Sequence, residues 1–295
     1  MLKRNLKINK MKKILVTGAT GNQGSATAYE LLQNGFEVFA LTRNPQSPEA
    51  ENLKKAGAIL VKGDLEDVEV LSDVFQKVDG LYLVVPSVWV SNKETDEKEA
   101  EIGIRTIKLA EQQGVKFVLY SSVMASDKQD LFRPKFKFTI EKYLLASDLQ
   151  GAVIRPASFM ENLLLPSFGL AEGKFINPLP ADRAISWIAT KDIGTFARII
   201  FQNYKEFNGK TVDFGGELYT PKQVLKLLQE KLNRPIEFVQ VPLEALYQQS
   251  ETFARLVEVI GKEGYDPIDY DFIASWMPNL TGFATWMDEI KIPVS

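Results

Sequence analysis

Short apolar runs alternate with longer amphipathic stretches along most of this chain. Residues 14–16 (ILV), 37–42 (EVFALT), 58–62 (AILVK), 81–85 (LYLVV) and 115–120 (VKFVLY) are brief and rich in β-branched and aromatic residues. Runs of that kind, with little polar alternation, predict strands buried on both faces. Helical patterns lie between them. Residues 25–33 close at Asn34-Gly35, and residues 53–57 and 68–77 follow. In residues 94–113, Ile102, Ile104, Ile107, Leu109 and Ala110 supply the apolar positions and Gly114 the stop. Five strands alternating with helices, without internal repeats, predict a parallel, doubly wound α/β sheet. A further helix over residues 135–147 and a sixth strand starting near Val153 extend it.

The remainder interleaves with this first half. Residues 184–190 and 210–214 are strand-like and would complete the sheet. Residues 168–180 are rich in Gly and Pro and read as a loop or lid. Thr220-Pro221, a cap followed by a proline at the first helical position, opens a helix over 221–232. Residues 236–241 read as a short edge strand. The segment beyond carries Tyr265, Tyr270, Phe272, Trp276, Phe283 and Trp286 at irregular spacing, the pattern of a packed core in a small helical cap. Residues 11–157 are thus expected to form the main domain, its sheet completed by 184–216. Residues 158–183 and 217–295 are expected to form a smaller, mostly helical lobe.

Composition narrows the chemistry. At 295 residues and 45% apolar, the chain can bury a large core. Net charge is −3 with acids and bases interspersed, so no basic field attracts nucleic acid. There is no Cys, which excludes disulfides and thiolate chemistry. There is no His, which removes the usual general base and every Ser-His-Asp arrangement. The basic opening MLKRNLKINK lacks a sustained apolar stretch and reads as an extension rather than a signal peptide, with Met11 an alternative start. The most apolar window, 81–90, is too short to span a bilayer and carries Pro86 and Ser87. A cytoplasmic protein without membrane contact is the expectation.

Candidate chemistry begins where the first strand ends. Thr17 opens into Gly18-Ala-Thr20-Gly21-Asn22-Gln23-Gly24, and a helix follows. Strand, glycine turn and helix together mark a phosphate cradle. Glycines permit unusual dihedrals, bare backbone approaches a pyrophosphate, and the helix N-terminus contributes partial positive charge. The second strand ends at Arg43, where dinucleotide sites usually place a carboxylate for the ribose 2′-hydroxyl. A guanidinium there grips a 2′-phosphate, so NADP(H) is expected over NAD(H), the alternative being a solvated arginine at a strand end. Pro86 and Ser87 follow the fourth strand at its carboxyl end, where open α/β sheets bind ligands. Trp89 beside them either walls that cleft or packs.

The Gly-x-x-Gly-x-x-Gly spacing resembles the atypical short-chain dehydrogenase/reductases, and among them the NmrA-like family. The resemblance covers roughly residues 11–241 and is strongest to Leu165. It implies that Asp64 and Leu65 lie against the adenine, although Asp64 could instead cap the helix near Glu66. Short-chain dehydrogenases place a serine past the fifth strand and a Tyr-x-x-x-Lys pair on the next helix. Here Lys137 sits where that lysine would, beside the nicotinamide ribose, but Arg133 stands in place of the tyrosine. Tyr143 follows Lys137 by almost two turns, too far for that geometry. The serine position aligns with Val123, and Ser122 lies one residue before it. The run Arg155-Pro156-Ala-Ser-Phe159-Met-Glu-Asn162-Leu resembles NmrA-like and quinone-reductase-like members, as does Asp192-Ile193-Gly194. It implies that Pro156 and Phe159 lie near the nicotinamide and that Asn162 faces the substrate cleft. Asn162 could equally be a cap or a buried amide, and Lys137 a solvated helix lysine.

Two functions remain open on these residues. One is a redox sensor that binds NADP(H) and shifts its lobe or a protein partner. The other is an NADPH-dependent reductase of quinones or conjugated carbonyls, in which Lys137 and Asn162 would serve the substrate. A nucleotide-sugar epimerase is disfavoured, since that chemistry needs a base for the sugar hydroxyl. Substrate, protein partner and oligomeric state are not readable.

Overall fold

Each βα unit folds as its local signals direct. The computed structural model describes residues 11–86, 93–127, 135–264 and 268–290. The first half runs β1 (Lys13–Val16), α1 (Asn22–Gln33), β2 (Glu37–Thr42), α2 (Pro48–Lys55), β3 (Ile59–Lys62), α3 (Val68–Phe75), β4 (Gly80–Leu83), α4 (Lys93–Gln112), β5 (Phe117–Ser121), α5 (Lys135–Ala146) and β6 (Gly151–Pro156). The second half continues with β7 (Ser158–Phe159), β8 (Lys174–Asn177), β9 (Ile185–Ile188), α6 (Thr190–Gln202), α7 (Tyr204–Phe207), β10 (Thr211–Phe214), β11 (Leu218–Tyr219), α8 (Pro221–Leu232) and β12 (Glu237–Gln240). Helices α9 (Leu243–Gln249), α10 (Glu251–Glu263), α11 (Tyr270–Trp276) and α12 (Phe283–Glu289) finish it.

Seven strands pair in parallel in the order β10-β6-β5-β4-β1-β2-β3. The chain direction along the sheet reverses between β1 and β4, which opens a crevice at their carboxyl ends. Side chains alternate across the sheet. Ile14, Val16 and Tyr82 face α1 and α6, where Phe196 stacks on Phe214. Leu15, Leu83, Val118 and Tyr120 face α3, α4 and α5. Both faces are covered, as the unalternating strand pattern required.

Four expectations need correction. Helix α2 starts at Pro48, five residues before the expected start, because Ser47 accepts from the Ala50 N–H and Pro48 takes the first helical position. Asp67, not Asp64, caps α3 by accepting from the Val70 N–H. Of the two strand-like runs expected to complete the sheet, only β10 does so. β9 instead pairs with β11 and β7 in a separate three-stranded sheet. Its residues are buried on both sides, and a Cβ on Gly216 would lie 2.5 Å from the Trp187 carbonyl, so the chain leaving β10 runs hard against it. Residues 168–180 are more than a loop, since they contain β8, which pairs in parallel with β12. Phe175 is fully buried there, stacked on Phe168 and tilted against Phe238.

Two acids, Asp192 buried and Glu217 exposed, tie the C-terminal segment down. Asp192 accepts from the Thr281 N–H (2.7 Å) and hydroxyl (2.8 Å), and Glu217 accepts from the Phe283 N–H (2.8 Å). Phe283 meets Trp187 edge to face, while Trp276 lies 4.7 Å from the ring of Phe207, on α7 in the core beneath the main sheet. The expected aromatic core is therefore divided between two packing surfaces. Tyr265 lies outside the described residues. Among the described residues no helix is long and apolar enough to cross a membrane, and no cluster of acids could hold a metal ion.

At the opposite end of the strands, Asp79 joins three of them. Its carboxylate accepts from the N–H groups of Lys12 and Lys13, at 2.9 and 3.0 Å, and from the Lys116 ammonium. Burial alone would raise this carboxyl, but the Lys116 bond and the two N–H bonds outweigh it and hold it below the ordinary value. A depressed carboxyl stabilises the fold above its unfolded value, near 4, and loses that contribution as pH falls through the folded value. The difference in melting temperature between wild type and Asp79→Asn is therefore expected to be largest near neutrality. It should shrink as thermal scans move from about pH 5 to about pH 3.

Candidate functional site

The glycine turn is fixed from below. Thr17 donates its N–H to the Tyr82 carbonyl (3.1 Å), and its hydroxyl accepts from the Val84 N–H (2.7 Å) and reaches the Val84 carbonyl (2.9 Å). That clasp carries β1 pairing past the end of the β4 ladder. Gly18 then takes φ +60°, and the Gly21 N–H closes back on the Gly18 carbonyl (2.9 Å). A Cβ on Gly24 would sit 2.1 Å from the Gly18 oxygen, so the first turn of α1 rests directly on the loop. No side chain caps α1, and the first bond of the helix is Ser25 N–H to Gly21 carbonyl. The N–H groups of Asn22, Gln23 and Gly24 have no acceptor among the described residues, and Gly18, Thr20, Gly21 and Asn22 are exposed. Orphan donors around a side-chain-free hollow form an anion cradle.

Gln23 enters this cradle only through its backbone. Its Oε1 accepts from the Ser121 hydroxyl (2.7 Å) and the Tyr82 hydroxyl (3.1 Å) beneath the turn. Burial pushes Tyr82 up to about 12, with Thr27 and Ser121 pulling partly the other way, so it stays a phenol. Ser121, Tyr82 and Thr17 are supports that the motif spacing does not reveal. They come from strands 60 to 100 residues apart in sequence or from the position just before the glycines.

The outer end of the crevice is a groove lined by Arg43, Lys62, Gly63, Asp64, Glu66 and Asp67. Arg43 is exposed and has no partner among the described residues. Asp64 Oδ1 accepts from the Glu66 N–H (2.8 Å), which holds the β3–α3 turn. Leu65 is 6% exposed and packed into the core, and its carbonyl takes a bond from Arg105 (3.2 Å).

The inner end differs most from the family pattern. Pro86 is exposed at the carboxyl end of β4, whereas Ser87, Trp89 and Arg133 lie outside the described residues. Ser122 is buried, and its hydroxyl donates to Glu141 on α5 rather than into the cleft. Arg155 forks onto the same carboxylate, with Nη2 at 2.7 Å and Nε at 3.1 Å, and reaches Asp127 at 2.8 Å. Glu141 is 1% exposed and Arg155 6%, so this is a buried, hydrogen-bonded ion pair. Lys137 is not a solvated helix lysine, because its ammonium lies 2.6 Å from Glu99 of α4 with both side chains largely buried. Tyr143 turns toward α4, under the Lys108 ammonium. Tyr120 comes nearest to the missing tyrosine in type. Burial pushes it well above the ordinary value, and Glu99 and Glu141 push it further. A catalytic tyrosinate needs the opposite shift.

Pro156 ends β6 and is buried. Phe159 is half-buried on β7, paired with Ile188. Asn162 is half-buried in the tight turn Met160–Leu164, and its amide makes no hydrogen bond among the described residues. It is therefore neither a cap nor a satisfied buried amide. Its neighbour Glu161 accepts from the Thr190 N–H (3.1 Å) and the Trp286 indole (3.0 Å), which anchors the turn.

The contact between Gly18 and Gly24 makes a direct prediction. Gly24→Ala forces the turn and α1 apart and is expected to cost about 1–3 kcal/mol, as overpacking does. Denaturant titration of the variant should show a lower midpoint with an unchanged slope.

Comparison with known proteins places this chain in a family. The chain is 31% identical to an NmrA-like family domain-containing protein of Dictyostelium discoideum over 247 residues, covering 77% of this chain and 80% of the relative. The crystal structure of NmrA, a negative transcriptional regulator, in complex with NADP superposes with a TM-score of 0.74 at 20% identity, over 96% of each chain. An NADPH-dependent quinone oxidoreductase of Escherichia coli, complexed with NADPH, superposes with a TM-score of 0.74 at 22% identity, over 93% of this chain and 98% of the other. The two structures share the fold. The profile of the NmrA-like family matches residues 10–286, so the chain belongs to the NmrA-like family.

Proposed function

We propose that this chain binds NADP(H) across the carboxyl ends of β1, β2 and β4 and acts as a redox sensor. The cradle fits the group, since the N–H groups of residues 22–24, without an acceptor among the described residues, suit a pyrophosphate and no side chain could occupy the space below Gly24. Arg43 would hold the 2′-phosphate, Asp64 the adenine amine, and the edge of Leu65 the ring. Thr20 and Asn22 would flank the phosphates, and Ser87 the ribose. Lys137 would reach the nicotinamide ribose, with Pro86, Ser122, Pro156 and Phe159 framing that end. When bound, the nicotinamide supplies a hydride acceptor or donor, and the residues around it would only position it.

The observation that carries the sensor reading is that, among the described residues, the lysine and serine at the inner end are each held by a buried acid while burial keeps Tyr120 protonated. Lys137 is held by Glu99, Ser122 by Glu141, and Tyr120 is locked as a phenol. None of these arrangements lowers a barrier to proton transfer. NmrA, crystallised with NADP and described as a regulator, has the same fold and supports the reading. The signal would pass to a protein partner or to a small molecule in the cleft.

A second reading is an NADPH-dependent reductase of quinones or conjugated carbonyls. The unpartnered amide of Asn162 favours it, because such reductions need mainly positioning and one donor at the developing oxyanion. The Escherichia coli quinone oxidoreductase, of the same fold, supports it. Calorimetry and NADPH oxidation against a panel of quinones and enones separate the two. The sensor is expected to bind NADPH at micromolar levels and oxidise none with any acceptor. Turnover that disappears in Lys137→Ala while binding persists would replace the sensor by the reductase.

A further inference from the structure

We infer that Lys62, at the end of β3, is a second cation of the 2′-phosphate site and sets the preference for a phosphorylated adenosine together with Arg43. The inference rests on the NADP(H) reading above. Parallel pairing sets Thr42 of β2 beside Lys62 of β3, so Arg43, the first residue past β2, leaves the sheet at the same rim. Adjacent strands lie about 4.8 Å apart, within easy reach of both side chains for one phosphate. The rim is held in place. The Gly63 N–H bonds the Thr42 carbonyl (3.1 Å), and Gly63 takes φ +158° to turn the chain away just after Lys62. Lys62 is thereby left as the last side chain on the lip of the groove.

The charges of that groove divide into engaged and unengaged. Its three acids each have a partner. Glu66 pairs with Lys98 at 3.0 Å, Asp67 caps α3 through the Val70 N–H (3.2 Å), and Asp64 accepts from the Glu66 N–H. The positive end of α3 offsets Asp67 further. The two cations, Arg43 and Lys62, are exposed and have no ion pair or hydrogen bond among the described residues. A groove whose carboxylates are all held and whose guanidinium and ammonium both point free is suited to a dianion with several acceptor oxygens. The planar fork can take two of those oxygens, and the ammonium, as a point charge, a third.

This differs from the reading of Arg43 alone, which makes the strand β2 terminus the whole determinant. A lysine on the neighbouring strand carries no motif. Its role follows from register, which brings residues 43 and 62 together across 19 positions of sequence.

The test is isothermal calorimetry of the full chain with NADPH and with NADH, on wild type, Lys62→Ala, Lys62→Arg and Arg43→Ala. Lys62→Ala is expected to weaken NADPH binding about tenfold, the size of one charge-assisted bond, and to leave NADH unchanged. Lys62→Arg should restore NADPH affinity. The NADPH deficit of Lys62→Ala should shrink as salt rises from about 0.05 to 0.5 M, because an exposed charge pair is screened. Lys62 is exposed on the lip, so melting temperatures should match and exclude misfolding as the cause. Equal loss for both nucleotides, or no loss while Arg43→Ala loses NADPH, overturns the role of Lys62 and leaves the NADP(H) reading intact. Wild type that binds neither nucleotide, or prefers NADH, removes that reading itself.

Discussion

The Gly18 carbonyl and the Gly24 backbone are too close for any side chain to lie between them, and the rest of the site is arranged around that contact. It brings the opening turn of α1 down onto the end of β1, which leaves three N–H groups without an acceptor among the described residues. The clasp of Thr17 on Val84 and the bonds from Tyr82 and Ser121 to Gln23 are what keep the contact closed. The buried hydroxyls of Thr17, Tyr82 and Ser121 brace the floor. A single methyl group at position 24 would open this assembly at its centre.

The same trade of reactivity for rigidity recurs at the inner end. Glu141 gathers Ser122, Ser126 and Arg155, and Glu99 holds Lys137. Charges taken this far from water persist only when paired, and breaking one partner leaves the other stranded. With neither His nor Cys in the chain, no side chain with an ordinary titration range near neutrality is present. The network is therefore built from carboxylate, ammonium, guanidinium and hydroxyl groups alone, and thiol oxidation has no group to act on.

The βα units were legible because each carries its own local signal. The run 37–42 and the helix Pro221–Leu232 match the structure residue for residue, the latter through its Thr220–Gln223 capping box. Position 48 also carried a signal, Ser47-Pro48, but the weakly apolar run behind it gave no periodicity. The fates of 185–188 and 174–177 were not legible. A short apolar strand says that it is buried, not which sheet receives it, and β8 finds its partner only at β12, some 60 residues on. At the site, the glycines and Arg43 stand out by spacing. Lys62, Glu99, Glu141 and the inward turn of Gln23 do not, because each depends on a neighbour from another part of the chain.

Gly194 in α6 has a consequence of its own. A Cβ there would lie 2.7 Å from the Ala26 carbonyl of α1, and Arg198 and Glu30 bridge the same two helices at 2.7 Å. The opening turn of α6 also holds Glu161 through Thr190 and carries Asp192, which grips Thr281. Close-packed protein yields little under load. The first helix is thereby joined through α6, by direct contacts, to the segment that carries the last helices. A methyl group at position 194 would therefore disturb the seat of the first bend and that of the last helices together.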